Sequence, residues 1–171
     1  MELPLIDCVT LTSVPESQRQ IITNLIQLYK YDFSEFAEVG SPYGEVGPDG
    51  RFTYEGLDSY WREDGWVPLT VKVDSRLAGF VLVNRWSALN RLLDHSVAEF
   101  FVLRKYRRIG VGSRAARVLF ESWPRALGSI CGPVQQAGSI FLEKGNSCID
   151  RKYCGGIHGG FRAPGRNGAV L

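Results

Sequence analysis

Histidine is almost absent from this chain: His95 and His158 are the only two. That excludes a metal centre built from several imidazoles. The four cysteines, Cys8, Cys131, Cys148 and Cys154, form no C-x-x-C pair. Neither a zinc ribbon nor a dithiol redox motif is therefore encoded. Cys148, Cys154 and His158 lie near one another in sequence without the paired spacing of a zinc site, so reduced thiols and no metal are expected. No apolar run approaches the roughly 18 residues of a membrane span. The start, Met1-Glu2-Leu3-Pro4, has neither a basic nor an apolar leader segment; the expected compartment is the cytosol and no membrane partner is expected. Charge of one sign is also lacking. The formal net charge is +2, which gives no whole-chain reason to bind nucleic acid or an anionic surface.

What is present is an ordinary globular composition, 44% hydrophobic over 171 residues, enough for one domain with a real core. Residues 5–11 read as a first strand. Ser13, followed by Pro15 and Glu16, has the pattern of a helix start with a capping box. The segment after it carries Ile21, Ile22, Leu25, Ile26, Leu28 and Tyr29 at helical spacing and continues toward Phe33 and Phe36. Residues 38–58, rich in Gly, Pro, Asp and Tyr, read as a long loop, and residues 57–61 as a short helix. Loops of this length are either functional or surface excursions. Residues 67–73 alternate as a strand does. A turn at 74–76 leads into the nearly continuous apolar run 77–83, so the two strands make a hairpin. Residues 96–103 form a further strand, and 113–123 a helix with Ala116, Leu119 and Phe120 toward the core.

Between that strand and that helix stands Arg107-Arg108-Ile109-Gly110-Val111-Gly112, with the spacing Arg-x-x-Gly-x-Gly. Backbone N–H groups at a helix start have no intrahelical acceptor, and the helix dipole places positive potential there. Glycines let an anion approach the backbone. Arg107, Arg108 and Arg114 add formal charge suited to phosphate. The pattern is neither a Walker A sequence nor a dinucleotide fingerprint. A bare pattern of this kind recurs by chance; its place between a strand and an amphipathic helix gives it weight. The run 104–108 can also be a solvated face or touch nucleic-acid phosphate. Trp61, Trp66, Tyr43, Tyr54 and Tyr60 could line a pocket or simply pack.

The stretch 98–120 resembles motif A of the GNAT N-acetyltransferases, whose signature is Arg/Gln-x-x-Gly-x-Gly/Ala. The upstream order of strand, helix, loop and hairpin is similar to theirs. Leu28-Tyr29-Lys30-Tyr31-Asp32-Phe33-Ser34-Glu35-Phe36 resembles a first helix found in a bacterial branch of that family. The resemblance covers about residues 5–124. It implies an α/β (α+β) fold, with a mixed, mostly antiparallel sheet flanked by helices. It implies direct transfer of an acetyl group from acetyl-CoA, as co-substrate, to an amine acceptor, with no covalent enzyme intermediate. The main chain of Phe101, Val102 and Leu103 would pair with the pantetheine arm. The pyrophosphate would be held by the loop Arg107, Arg108, Ile109, Gly110, Val111, Gly112 and Ser113. The acceptor amine must lose a proton, and Glu99, the one carboxylate on the motif A strand, is the candidate base; pairing with an arginine or facing solvent is the alternative. Residues 38–58 would wall the acceptor cleft. A homodimer is compatible with the resemblance. Two other readings stay open: an inactivated or non-catalytic acyl-CoA-binding domain, and a small basic-loop protein that binds nucleic acid.

After Pro124 the chain changes character. Roughly half of all its glycines and three of its four cysteines lie there, and only Glu143 and Asp150 are acidic. The sequence divides into a core, 1–124, and an atypical tail, 125–171, in which no strand or helix period is sustained apart from a patch near 139–144. The fifth strand of a GNAT chain, and the Asn and Tyr that usually follow it, have no match. A shifted reading frame offers one account. Permissible codons for 125–144, read one base later, end in Asn-Arg-Pro-Ala-Ala-Tyr-Phe-Trp-Arg-Lys, a pattern such families show after motif A. The plainer account is a divergent or disordered tail.

Overall fold

The computed structural model describes residues 8–41, 44–85, 95–123 and 127–129. Its centre is a five-stranded sheet in the order β1 (Val9–Ser13), β2 (Val67–Val73), β3 (Arg76–Asn84), β4 (His95–Val102), β5 (Leu127–Ser129). The first four strands are antiparallel neighbours, and β5 pairs parallel with the start of β4. Helix α1 (Arg19–Ser34) and the short α2 (Ser59–Arg62) precede the hairpin, and α3 (Val111–Ser122) follows β4. This is an α+β fold, with a mixed and mostly antiparallel sheet.

The sequence pattern explains the layering. Strands β2 and β3 are apolar on both faces, because helices cover both. On one face Val71, Val81, Val83 and Val97 pack under Val111, Ala115 and Leu119 of α3. On the other, Phe80, Leu82 and Phe101 pack under Ile22, Leu25, Ile26 and Tyr29 of α1, with Leu57 and Tyr60 closing the edge. The β2–β3 hairpin turns at Asp74 and Ser75, both left-handed at φ 47° and 67°, as a two-residue hairpin loop requires.

Several elements depart from the sequence reading. Ser13 does not cap α1. It is the last residue of β1, opposite Leu69, and Val14 N–H still donates to the Pro68 carbonyl at 3.0 Å. Strand pairing holds this backbone extended, so the chain first makes a 3-10 turn at Glu16–Gln18, and α1 starts at Arg19. Helix α1 stops at Ser34, leaving Phe36 68% exposed, and Leu28 points outward. Helix α3 begins at Val111, two residues earlier than its apolar pattern indicates. A short strand at 127–129 stands in the segment where the sequence sustains no period; three residues are too few to show one. The other tail expectations, the thiols at 131, 148 and 154 among them, lie outside the described residues, as does residues 5–7 of the first expected strand. Cys8 is an exposed free thiol. Among the described residues no helix is long and apolar enough to cross a membrane, and no three His, Cys, Asp or Glu side chains cluster as a metal site.

Candidate active site

The site is organised by an irregularity in β4. Leu82 pairs with Glu99 and the next residue, Val83, pairs with Val97, so Ala98 is an extra residue in the ladder. In a regular strand, residues 97, 99 and 101 would share a face. The bulge breaks that alternation. Val97 joins the core under α3, while Phe101 packs under α1 and Glu99 reaches the same side. Nothing in the composition of 95–102 marks this bulge.

Glu99 there accepts hydrogen bonds from two tyrosines. The Tyr29 hydroxyl, from α1, donates to one carboxylate oxygen, and the Tyr54 hydroxyl donates to the other at 3.3 Å. Beside them the Asn84 amide donates to the Tyr60 hydroxyl at 3.4 Å. Two of the partners of Glu99 are thus phenols. Burial and the negative charge of Glu99 push Tyr54 and Tyr60 above the ordinary tyrosine value. Both therefore stay neutral across the physiological range, and of the two Tyr54 donates to the carboxylate.

Tyr54 also faces an open cleft of about 590 Å³ between α1 and the segment 49–58, lined by Arg19, Gln20, Gln27, Arg51 and Asp58 among others. Gln27 fixes that segment. Its amide nitrogen donates to the Phe52 carbonyl at 3.0 Å, and its oxygen accepts from the Phe52 N–H at 2.8 Å. Of the aromatic residues singled out in the sequence, Tyr54 lines this cleft. Tyr60 and Trp66 pack edge to face at 4.9 Å, Trp61 donates to the Val14 carbonyl at 2.8 Å, and Tyr43 lies outside the described residues.

At its other end β4 runs into the glycine-containing loop. The Leu103 N–H donates back to the Ala78 carbonyl of β3 at 2.8 Å. A 3-10 turn, Arg104–Tyr106, follows. Arg108 and Gly110 are left-handed, at φ 63° and 86°. Gly110 is the N-cap of α3 and provides no side chain to cap it. The first intrahelical bond runs from Arg114 N–H to the Gly110 carbonyl at 3.1 Å. The amides of Val111, Gly112 and Ser113 therefore precede the helical ladder and have no acceptor within it. Among the described residues, a methyl group at Gly110 would meet nothing within 4 Å. Arg108 and Arg114 are exposed beside it.

Arg107 takes a different course. Its Nε donates to the Val102 carbonyl at 2.6 Å, its Nη2 pairs with Asp32 of α1, and its guanidinium lies 5.4 Å over the Phe101 ring. Arg104 Nε donates to the other Asp32 oxygen at 2.7 Å, with Glu35 3.8 Å from its Nη2. Those contacts hold Arg104 above its ordinary value. Two of the three arginines in this run are thus engaged by Asp32 of α1. Asp32 and Gln27 went unremarked as functional in the sequence, because a polar residue on an amphipathic helix gives no sign of what it will face.

The fold is shared with solved acetyltransferases. The chain is similar to aminoglycoside N-acetyltransferase AAC(6')-Iy in complex with CoA, with a TM-score of 0.54 and 15% identity over 90% of this chain and 100% of that one. It is similar to the aminoglycoside acetyltransferase meta-AAC0020 from an uncultured soil metagenomic sample, solved with sisomicin, with a TM-score of 0.55 and 11% identity over 88% and 95% of the two chains. A ribosomal-protein-alanine N-acetyltransferase from Brucella melitensis biovar Abortus 2308 is also similar, with a TM-score of 0.50 and 16% identity over 86% and 97%. No family model and no curated protein sequence matches the chain.

Proposed function

We propose that this protein is a GNAT N-acetyltransferase that moves an acetyl group from acetyl-CoA to an amine. The observation that carries the reading is the uncapped start of α3 at the end of β4, within a fold shared with acetyltransferases. The amides of 108–113 would hold the pyrophosphate, using the dipole of α3 and the charges of Arg108 and Arg114. Backbone polar groups alternate sides along a strand. Leu103 N–H is committed to β3, so Val102 presents its N–H on the opposite edge, where the pantetheine arm would pair. The Val102 carbonyl is already held by Arg107.

The acceptor would enter along the cleft that Tyr54 joins to Glu99. A protonated amine gives its proton to Glu99, directly or through the Tyr54 hydroxyl, and the freed lone pair attacks the thioester carbonyl. The carbon–sulfur bond breaks, an amide forms, and CoA leaves as a thiolate that takes up a proton. An amine and acetyl-CoA thus yield an N-acetyl amine and CoA. Acyl-CoA binding without turnover is the second reading, since the Asn and Tyr that usually follow the fifth strand in that family have no match in this sequence. The nucleic-acid reading loses its support in Arg104 and Arg107, whose charges Asp32 engages.

The test is a thermal-unfolding shift with acetyl-CoA. A ligand at about 100 times its Kd stabilises a folded site by about 2.7 kcal/mol, which for a chain of this size is a rise of about 5–11 °C. The rise should vanish in Gly110→Asp, which places a carboxylate where the pyrophosphate binds. A cooperatively unfolding wild type with no shift contradicts the reading. CoA release with a panel of amines then separates turnover from binding alone.

A further inference from the structure

The helix segment 28–36 stood out in the sequence without a chemical role for its polar residues. In the fold, two of them, three positions apart on α1, grip the two ends of the candidate site. Tyr29 holds Glu99, and Asp32 holds Arg104 and Arg107. Asp32 is not an ordinary surface partner. Its side chain is 13% exposed, and each carboxylate oxygen takes a different guanidinium. Arg107 relays that hold to the main chain through its Nε on the Val102 carbonyl and its contact with the Phe101 ring. Helix, strand end and loop are thereby tied at one point, at the threshold of the turn in which Arg108 and Gly110 are left-handed.

We propose that Asp32 is a positioning residue for the cofactor loop: through Arg107 it presets the backbone of 108–113 for the pyrophosphate, and the Arg107 guanidinium is a brace for that loop rather than a phosphate ligand. The inference deepens the acetyl-CoA reading and rests on it. An isolated exposed ion pair would contribute little. Here two charge-assisted bonds converge on a shielded carboxylate, and what they fix is the direction of amides that must converge on one ligand. A charge role has the opposite sign: an anion beside the loop repels pyrophosphate, so its removal would tighten binding, most at low salt.

The experiment compares acetyl-CoA with S-acetyl-pantetheine, which lacks the pyrophosphate, on wild type, Asp32→Asn and Arg107→Lys, reading weak binding by ligand-detected NMR. Positioning predicts that both substitutions weaken acetyl-CoA by about tenfold or more, the worth of a charge-assisted hydrogen bond. The pantetheine ligand should bind all three proteins alike. Arg107→Lys keeps the charge and loses the fork, so it reads the geometry even if Asp32→Asn does not fold. Unchanged or tighter acetyl-CoA binding in folded variants overturns the proposal and leaves the acetyl-CoA reading intact, as does equal loss for both ligands, which marks general loosening of the fold. Failure of wild type to bind acetyl-CoA removes both.

Discussion

Gly79 gives the sharpest test of how closely β3 and β4 approach. A methyl group at Gly79 would lie against the Phe101 carbonyl oxygen, far inside van der Waals contact, and 3.0 Å from both the Phe101 carbonyl carbon and Val102 Cα. These neighbours are backbone atoms, so no side chain can swing aside. Gly79→Ala must move the strands apart by about 1.5 Å to reach ordinary contact distances. The nearby bond from Leu103 N–H to the Ala78 carbonyl, at 2.8 Å, would be stretched past the limit of a hydrogen bond. Overpacking costs about 1–3 kcal/mol and a lost backbone bond about another 1 kcal/mol. The expected destabilisation is about 2–4 kcal/mol, a fall in Tm of about 4–16 °C for a chain of this length. Calorimetric melting measures it directly. The same displacement would shift Val102, so the variant should also lose part of its acetyl-CoA shift. A Tm within about 1 °C of wild type would refute the register and the reasoning built on it.

Three further outcomes follow from the same geometry. Glu99→Gln should lower acetyl transfer by about 10²–10⁴-fold, the range for loss of a general base, while acetyl-CoA binding is kept; equal turnover would dismiss Glu99 as the base. Tyr54 and Tyr60 titrate above the ordinary value of 10.0 in the folded state. Their neutral forms therefore contribute stability that is full below pH 10 and lost as pH rises toward the folded values. The loss is about 1.4 kcal/mol per pH unit for each group, and denaturant midpoints at pH 9 to 11 should fall less steeply in Tyr54→Phe. Leu119→Ala, at a fully buried position of α3, should cost about 2–5 kcal/mol, read as a shift in denaturant midpoint.

The sequence made legible whatever repeats. The alternation of 67–73 and the apolar run that follows announced β2 and β3, because a central strand covered on both faces must be apolar throughout. The stripe Ile22, Leu25, Ile26, Tyr29 announced the buried face of α1, and the glycine spacing announced the turn into α3. Features set by single tertiary events stayed hidden. Ser13 has the chemistry of a cap, yet the β1–β2 ladder claims its backbone. The extra residue at Ala98, which turns Glu99 toward the tyrosines, is a property of register and leaves no mark in composition. The three residues of β5 are too short to show a period. The sequence offers Arg107 as a charge near the phosphate; its side chain turns back to Asp32, a partner 75 positions away.

Acetyl-CoA is expected to sit on the start of α3 and on the edge of β4 at Val102. Amide-resolved NMR of the labelled protein, titrated with acetyl-CoA, tests it most directly. The account predicts saturable shifts concentrated at the N–H signals of Val102, Gly110, Val111, Gly112 and Ser113, with those of β1 and the β2–β3 turn unmoved. Saturable binding whose shifts fall elsewhere, or no shift at those amides at millimolar ligand, would contradict it.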